Sequence, residues 1–274
     1  MKKKIICIVA AMLLISLAAC GSRPTAEDFA FEPYADFTGA PKAQALSLDA
    51  GITLDGVLSE NVWTESTPMK LRGVAKDQTT NQNINNNVYG ARSAEVYTYV
   101  GEKNVYFAFD VKDKNLYYNA HGEQALGTCV ELYFANATNT KMGNGCYSIR
   151  VSPTGKSGDG GADAQIYVSN GDKNDWRLST AEEGMYAVAV KVDGKVCSNP
   201  NDSSYSTKKN KGYVVEIAVS KALIGKNVKE IRYTAAFVQD KGFSKTRLGN
   251  SFISGTTYNN PNTWLVPKNK GSKK

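Results

Sequence analysis

The sequence predicts an all-β protein: an antiparallel β-sandwich, jelly-roll-like, of immunoglobulin size or larger, with few short helical turns. The first observation is a set of period-two runs rich in β-branched and aromatic residues, separated by Gly, Asn and Asp clusters. They read AEVYTYVG (94–101), NVYFAFDVKD (104–113), CVELYFAN (129–136), CYSIRVSP (146–153), DAQIYVSN (163–170), MYAVAVKVDG (185–194), GYVVEIAVS (212–220) and EIRYTAAFVQD (230–240). The second is the scarcity of helix: only SENVWTES near residue 60 and SKALIG near residue 222 suit single turns. The third is the absence of repeated βα units, which excludes the alternating-domain architecture of solute-binding transport proteins.

The chain opens MKKKIICIVAAMLLISLAAC. Lys2, Lys3 and Lys4 precede an apolar run from Ile5 to Ile15 and then small residues, the layout of a secretory signal; a membrane span needs roughly 20 apolar residues. Leu17, Ala18, Ala19 and Cys20 resemble a bacterial lipobox, which implies cleavage after residue 19 and lipidation of Cys20. Two or three acyl chains there would hold the protein stably on a membrane, facing the extracytoplasmic side, where one chain binds only marginally. Residues 20–45 contain prolines and small residues without periodicity, suited to a tether. Residues 46–267 form the expected domain, about 220 residues and large enough to bury a core. Residues 268–274 are a Lys-rich tail.

Composition excludes several function classes. The formal charge of +7 includes the three leader lysines, and no basic stripe interleaves with aromatics, so a nucleic-acid partner is not expected. Of the five cysteines, Cys7 and Cys20 belong to the leader and lipobox. The odd remainder, Cys129, Cys146 and Cys197, leaves at least one thiol outside any intrachain pair. A single histidine, His121, excludes histidine-rich metal sites and gives no nucleophilic triad.

Within the domain, Asp55-Gly56 reads as a tight turn because glycine tolerates positive φ, and Trp63, seven residues later, as an anchor dropped into the sandwich. Residues 75–93 are crowded with Asn, Gln and Thr, side chains that supply donors and acceptors together. A long polar loop of this kind is either functional or a mobile insertion.

These pieces, in order, resemble the family 9 carbohydrate-binding modules and their DOMON-like relatives. The Asp55-Gly56 turn with Trp63 matches the family's opening segment. Asn104 to Asp113, Cys129 to Phe134 with Glu131, Tyr147 to Gly155, Gly212 to Gly225 with Glu216, and the segment around Trp264 follow. The chain departs from that pattern at Thr128, near where an acidic residue is common, at Tyr213 in place of tryptophan, and at Ser220 in place of proline. The resemblance implies a β-sandwich that binds an oligo- or polysaccharide without cleaving it, aromatic rings covering the sugar's C–H faces while polar neighbours take its hydroxyls.

The family's ring positions lie in loops without a matching motif here, so candidates come from context. Trp176, in the polar stretch GDKNDWRLST, ranks first, followed by Tyr258, Tyr118 and Tyr89, with Asn87 beside the last. Ordinary strand packing is the alternative for each. Asp159 and Asp163, in a Gly-rich loop, suit calcium in ligand type, although the spacing is not that of an EF-hand. Otherwise no cofactor is expected.

The competing readings are an envelope protein-interaction or adhesion scaffold on the same fold, a haem domain using Met142 and His121, and a glycosidase using Glu131 and Glu216. An exposed aromatic platform would favour sugar, and a broad apolar patch a protein partner.

Overall fold

The structure is a computed structural model and describes residues 46–77, 82–83, 91–119, 127–136, 138–143, 145–155, 161–171, 176–182, 184–199, 201–224, 231–240, 249–267 and 269. The expected leader with Cys20, the expected tether, Asn87, Tyr89, His121 and Asp159 lie outside the described residues.

Every predicted run forms a strand. In chain order these are β2 (Ser93–Val100), β3 (Asn104–Lys112), β4 (Cys129–Asn136), β5 (Cys146–Pro153), β6 (Ala162–Ser169), β8 (Tyr186–Asp193), β9 (Gly212–Ser220) and β10 (Ile231–Gln239). Three short strands escape the period-two pattern because three or four residues cannot establish it: β1 (Met69–Arg72), β7 (Trp176–Leu178) and β11 (Gly249–Phe252). Helical turns occur at Asn61–Thr64 and Lys221–Ile224, as the sequence suggests.

The strands form two sheets with antiparallel pairing throughout: β1-β2-β3-β9-β8, and β11-β10-β4-β5-β6-β7. One alternating set from each sheet meets between them. Val105, Phe107 and Phe109 of β3 and Val215, Ile217 and Val219 of β9 face Val130, Leu132 and Phe134 of β4, Ile149 and Val151 of β5, and Phe237 of β10, all essentially without solvent contact. Each such side chain contributes about 1.5–3 kcal/mol by burial, so the sandwich rests on this layer.

The outer face of the five-stranded sheet is covered by the segment from Leu46 to Thr64. Ile52 and Trp63 pack on Tyr106, Ala108 and Ala218, which occupy the opposite alternation from the inner core. Trp63 is therefore buried as expected, but outside the sheet rather than between the two sheets. Its position is set by Glu216: Oε1 accepts the indole Nε1–H at 3.0 Å, while Oε2 accepts the amides of Asp55 at 2.9 Å and Gly56 at 2.7 Å. The Asp-Gly turn and the tryptophan seven residues later are thus two arms of one carboxylate's coordination. Burial pushes the Glu216 carboxyl up, and the three donors only partly counter it.

Gly56 has φ +74°, and a Cβ there would lie 2.6 Å from the backbone nitrogen and Cβ of Lys191 on β8. Asp49 secures the start of the same segment. Its carboxylate accepts the amides of Glu102 and Lys103, each at 2.8 Å, that of Asn104 at 3.1 Å, and the Tyr106 hydroxyl at 2.8 Å, closing the β2–β3 hairpin.

Two outcomes follow. Gly56→Ala should destabilise the domain by about 2–4 kcal/mol in urea unfolding, through an αL residue and a backbone clash together; Gly51→Ala, also at positive φ but in open space, should cost only about 1 kcal/mol. Asp49 is partly desolvated, which raises its pKa, yet the backbone and Tyr106 donors outweigh this and hold it below the usual 3.8. A depressed carboxyl stabilises the fold above its unfolded value and loses that contribution as pH falls through the folded value. Unfolding free energy should therefore drop below pH 4 in the wild type, with a shallower drop in Asp49→Asn.

Candidate binding face on the six-stranded sheet

The alternation that sends Val130, Leu132 and Phe134 inward sends Cys129, Glu131, Tyr133 and Ala135 to the outer face of the six-stranded sheet. Register then brings residues from distant parts of the chain into rows. One row runs Phe252, Ala236, Glu131, Arg150 and Gln165; the next runs Thr234, Tyr133, Ser148, Tyr167 and Leu178; a third pairs Ser169 with Trp176.

The first two rows carry a continuous polar chain. Asn250 Nδ2 donates to Glu131 Oε2 at 2.9 Å, and Arg150 Nε stands 3.5 Å from Glu131 Oε1. The Arg150 guanidinium lies 4.4 Å from the centroid of the Tyr167 ring. The Tyr167 hydroxyl donates to Gln165 Oε1 at 2.6 Å, Gln165 Nε2 donates to Asp163 Oδ1 at 3.4 Å, and the Tyr118 hydroxyl donates to Asp163 Oδ2 at 3.2 Å. Burial works against the charge on Arg150, but the Glu131 carboxylate more than offsets it and raises its pKa. Burial raises the Tyr167 hydroxyl, with Arg150 opposing. The face therefore carries a fixed, neutralised ion pair and several hydrogen-bonding groups.

Beside this chain stands an aromatic cluster centred on Tyr133. Its ring centroid lies 5.4 Å from Trp176 in an edge-on arrangement, 6.0 Å from Phe252, 6.1 Å from Tyr258 and 6.4 Å from Trp264. Tyr133 and Trp264 are buried beneath; Trp176 and Phe252 are half-buried, and Tyr258 is exposed. The Trp264 indole is held by donation to the Thr257 carbonyl at 2.7 Å. Three buried polar atoms near the cluster have no hydrogen-bond partner among the described residues: Trp176 Nε1, Ser148 Oγ and Ser169 Oγ. Ser169 is the cross-strand partner of Trp176, and Ser148 is flanked by Tyr133 and Tyr167.

Among the residues singled out from sequence, Trp176, Tyr258, Tyr118 and Asp163 fall on or beside this one face. Trp176 opens β7 rather than sitting in a turn, and it leans on Tyr133 instead of standing free. Asp163 lies on β6, not in a loop, and is engaged by Tyr118 and Gln165. Glu131 is at the centre of the face, whereas Glu216 lies on the far outer face of the other sheet.

Met142 is buried among Tyr133, Ala135, Cys146 and Trp264. Cys129, Cys146 and Cys197 are all buried and none is in a disulfide. Thr128 ties the β3–β4 connection, accepting from the Tyr117 amide at 2.9 Å and donating to the Asn115 carbonyl at 3.0 Å. Tyr213 fills the inner core, and Ser220 Oγ accepts from the Ala222 amide at 3.2 Å to start the helical turn after β9.

Sequence reading missed Tyr133, Arg150, Tyr167 and Phe252. A signal was present: the outward positions of β4 to β6 hold Glu, Tyr, Ser, Arg, Gln and Tyr, polar side chains able to bond one another rather than plainly solvated ones. Which of them meet depends on register, and that is a property of the assembled sheet.

No known family model matches the sequence, and no curated protein matches it. Among solved structures, the chain is similar to a family 9 carbohydrate-binding module from Caldicellulosiruptor kristjanssonii in complex with cellotriose, at 12% identity and a TM-score of 0.49, over 82% of this chain and 94% of that one. It is also similar to a family 9 module from the same organism in complex with glucose, at 12% identity and a TM-score of 0.48, over 82% and 95% of the two chains. At that identity and those TM-scores, neither ligand transfers to this chain.

Proposed function

We propose that this protein binds carbohydrate, without cleaving it, on the outer face of its six-stranded sheet. The observation that carries the reading is the aromatic cluster of Tyr258, Phe252 and Trp176 over Tyr133, set against the Glu131–Arg150–Tyr167 chain and the unpartnered Trp176 Nε1, Ser148 Oγ and Ser169 Oγ. Ring faces suit the C–H surface of a sugar, and planar polar side chains suit its hydroxyls. A broad apolar patch, the mark of a protein partner, is not found among the described residues. Their exposed large hydrophobics are Leu178, Met185 and Tyr258, and the first and last lie on the proposed face.

Hydrolysis by Glu131 and Glu216 is incompatible with the geometry. A glycosidase pair stands about 5–9.5 Å apart across one bond, whereas these two point outward from opposite sheets of a sandwich whose sheets are themselves about 10 Å apart. The lipobox at Leu17–Cys20 supports a second element of the proposal: lipid attachment at Cys20 and display on the extracytoplasmic side of a bacterial membrane.

Titration of the mature chain with soluble oligosaccharides, followed by tryptophan fluorescence, should give a saturable change with at least one sugar. That change should vanish in Trp176→Ala and weaken about tenfold in Tyr258→Ala. Silence across the panel in a folded protein would sink the reading and favour the protein-interaction scaffold. In cells, metabolic labelling with palmitate should mark the wild type, and Cys20→Ser should lose both the label and membrane fractionation.

A further inference from the structure

The five-stranded sheet ends at β8, a strand of eight residues, whereas β1, β7 and β11, which form the other sheet edges, have three or four each. A sheet edge offers unpaired backbone groups to any extended chain, and short, charged or Pro-bearing edge strands suppress this. β8 reads YAVAVKVD, with neither Pro nor Gly and with charge only at Lys191 and Asp193. Register shows which of its groups are open. The Ser220 amide donates to the Met185 carbonyl at 2.8 Å, so these opposed residues are a hydrogen-bonded pair, and Ala187, Ala189, Lys191 and Asp193 fall in the same class. The residues between them turn their N–H and C=O away from β9. Among the described residues, Val188, Val190 and Val192 make no backbone hydrogen bond on that side.

The side chains of these three valines point into the layer between the sheets but are only half-buried, whereas Val215, Ile217 and Val219 of the neighbouring β9 have no exposure. The core is therefore open along this strip. β8 lies against β5 and β6, and the Tyr186 hydroxyl donates to the Ala164 carbonyl of β6 at 3.4 Å. β7, one strand further on in the six-stranded sheet, projects past β8 as a ledge. A single extended segment can lie on that ledge as a sixth strand. A second sandwich cannot pair edge to edge there, because its own projecting β7 would run into this one.

We infer that the β8 edge is a docking site for an extended peptide segment of a partner protein, added to the sheet as an antiparallel strand. Five residues suffice to pair the N–H and C=O of Val188, Val190 and Val192. The first, third and fifth of them stand opposite the valines and carry apolar side chains that close the open strip. The second stands opposite Lys191 in a non-hydrogen-bonded pair, where side chains approach most closely, and is acidic. Lys191 makes no ion pair among the described residues, while Asp193 is held by Lys211 at 3.1 Å. The fourth faces Ala189 and is small. Recognition here comes from backbone pairing rather than from a broad apolar patch. The strip shares no residue with the proposed sugar-binding face, and either can fail without the other.

The test is a ¹H–¹⁵N NMR titration of the mature chain with end-blocked pentapeptides, reading the amides of Val188, Val190 and Val192. The peptide Val-Glu-Val-Thr-Val should shift all three saturably and slow their exchange with solvent. Val-Glu-Pro-Thr-Val, which lacks the central N–H, should bind at least tenfold more weakly. In Lys191→Glu, an exposed substitution that leaves the fold intact, the preference should reverse, with Val-Lys-Val-Thr-Val binding about fivefold more tightly than Val-Glu-Val-Thr-Val. The inference is overturned by three silent amides, by equal binding of the proline peptide, or by an unchanged preference in Lys191→Glu. It is also overturned if protein concentration alone shifts the same amides while sedimentation shows a doubled mass, which would assign the edge to a second copy of the chain.

Discussion

The buried carboxylate of Glu216 settles which side of this sandwich can serve as a surface. A sheet of five strands has two faces, and the inner core uses one. The other is sealed because Glu216 gathers an indole N–H and two backbone amides from a segment more than 150 residues earlier in the chain. A buried carboxylate without such donors would cost several kcal/mol, so the N-terminal segment and β9 specify each other. Gly56 completes the arrangement, since only a residue without a Cβ passes Lys191 at that distance. With that face closed, the outer face of the six-stranded sheet carries the half-buried rings of Trp176 and Phe252 beside the exposed ring of Tyr258.

That second face is built differently. Glu131 and Arg150 are almost fully withdrawn from water, with side-chain exposures of 1% and 13%, in a position where an apolar pair would stabilise the fold at least as well. Their retention makes sense if the face must present oriented polar groups. Arg150 is fixed on one side by Glu131 and on the other by the Tyr167 ring, and Tyr167 is in turn held by Gln165. Side chains locked in this way lose little further rotamer freedom on meeting a ligand, which is the advantage of a preorganised surface over a flexible one. The Tyr133 cluster gives the same rigidity to the neighbouring rings.

Strand identity was legible wherever a run was long enough for alternation to show, and β2 to β6 and β8 to β10 were all of that kind. β1, β7 and β11 were not, because a strand of three or four residues is defined by the partner it adds to. Trp176 illustrates the consequence: its polar neighbours suggest a turn, but pairing with Ser169 makes it the start of an edge strand. Trp63 illustrates another. Its burial was readable from an isolated tryptophan after an Asp-Gly turn, but not the side of the sheet on which it would be buried.

By itself, then, the sequence determined an all-β chain, its longer strands, the helical turns at Asn61–Thr64 and Lys221–Ile224, and an Asp-Gly turn followed by a buried tryptophan, because these depend on local periodicity and on single residues with special backbone freedom. Only the tertiary structure decided that Glu131, Arg150 and Tyr167 form one polar chain, that Tyr133 sits beneath Trp176, Phe252 and Tyr258, and that Glu131 and Glu216 lie on opposite outer faces. The physical reason is register. A side chain's face follows from its own strand, but its neighbours follow from how strands separated by up to 100 residues and more slide past one another until the inner layer packs.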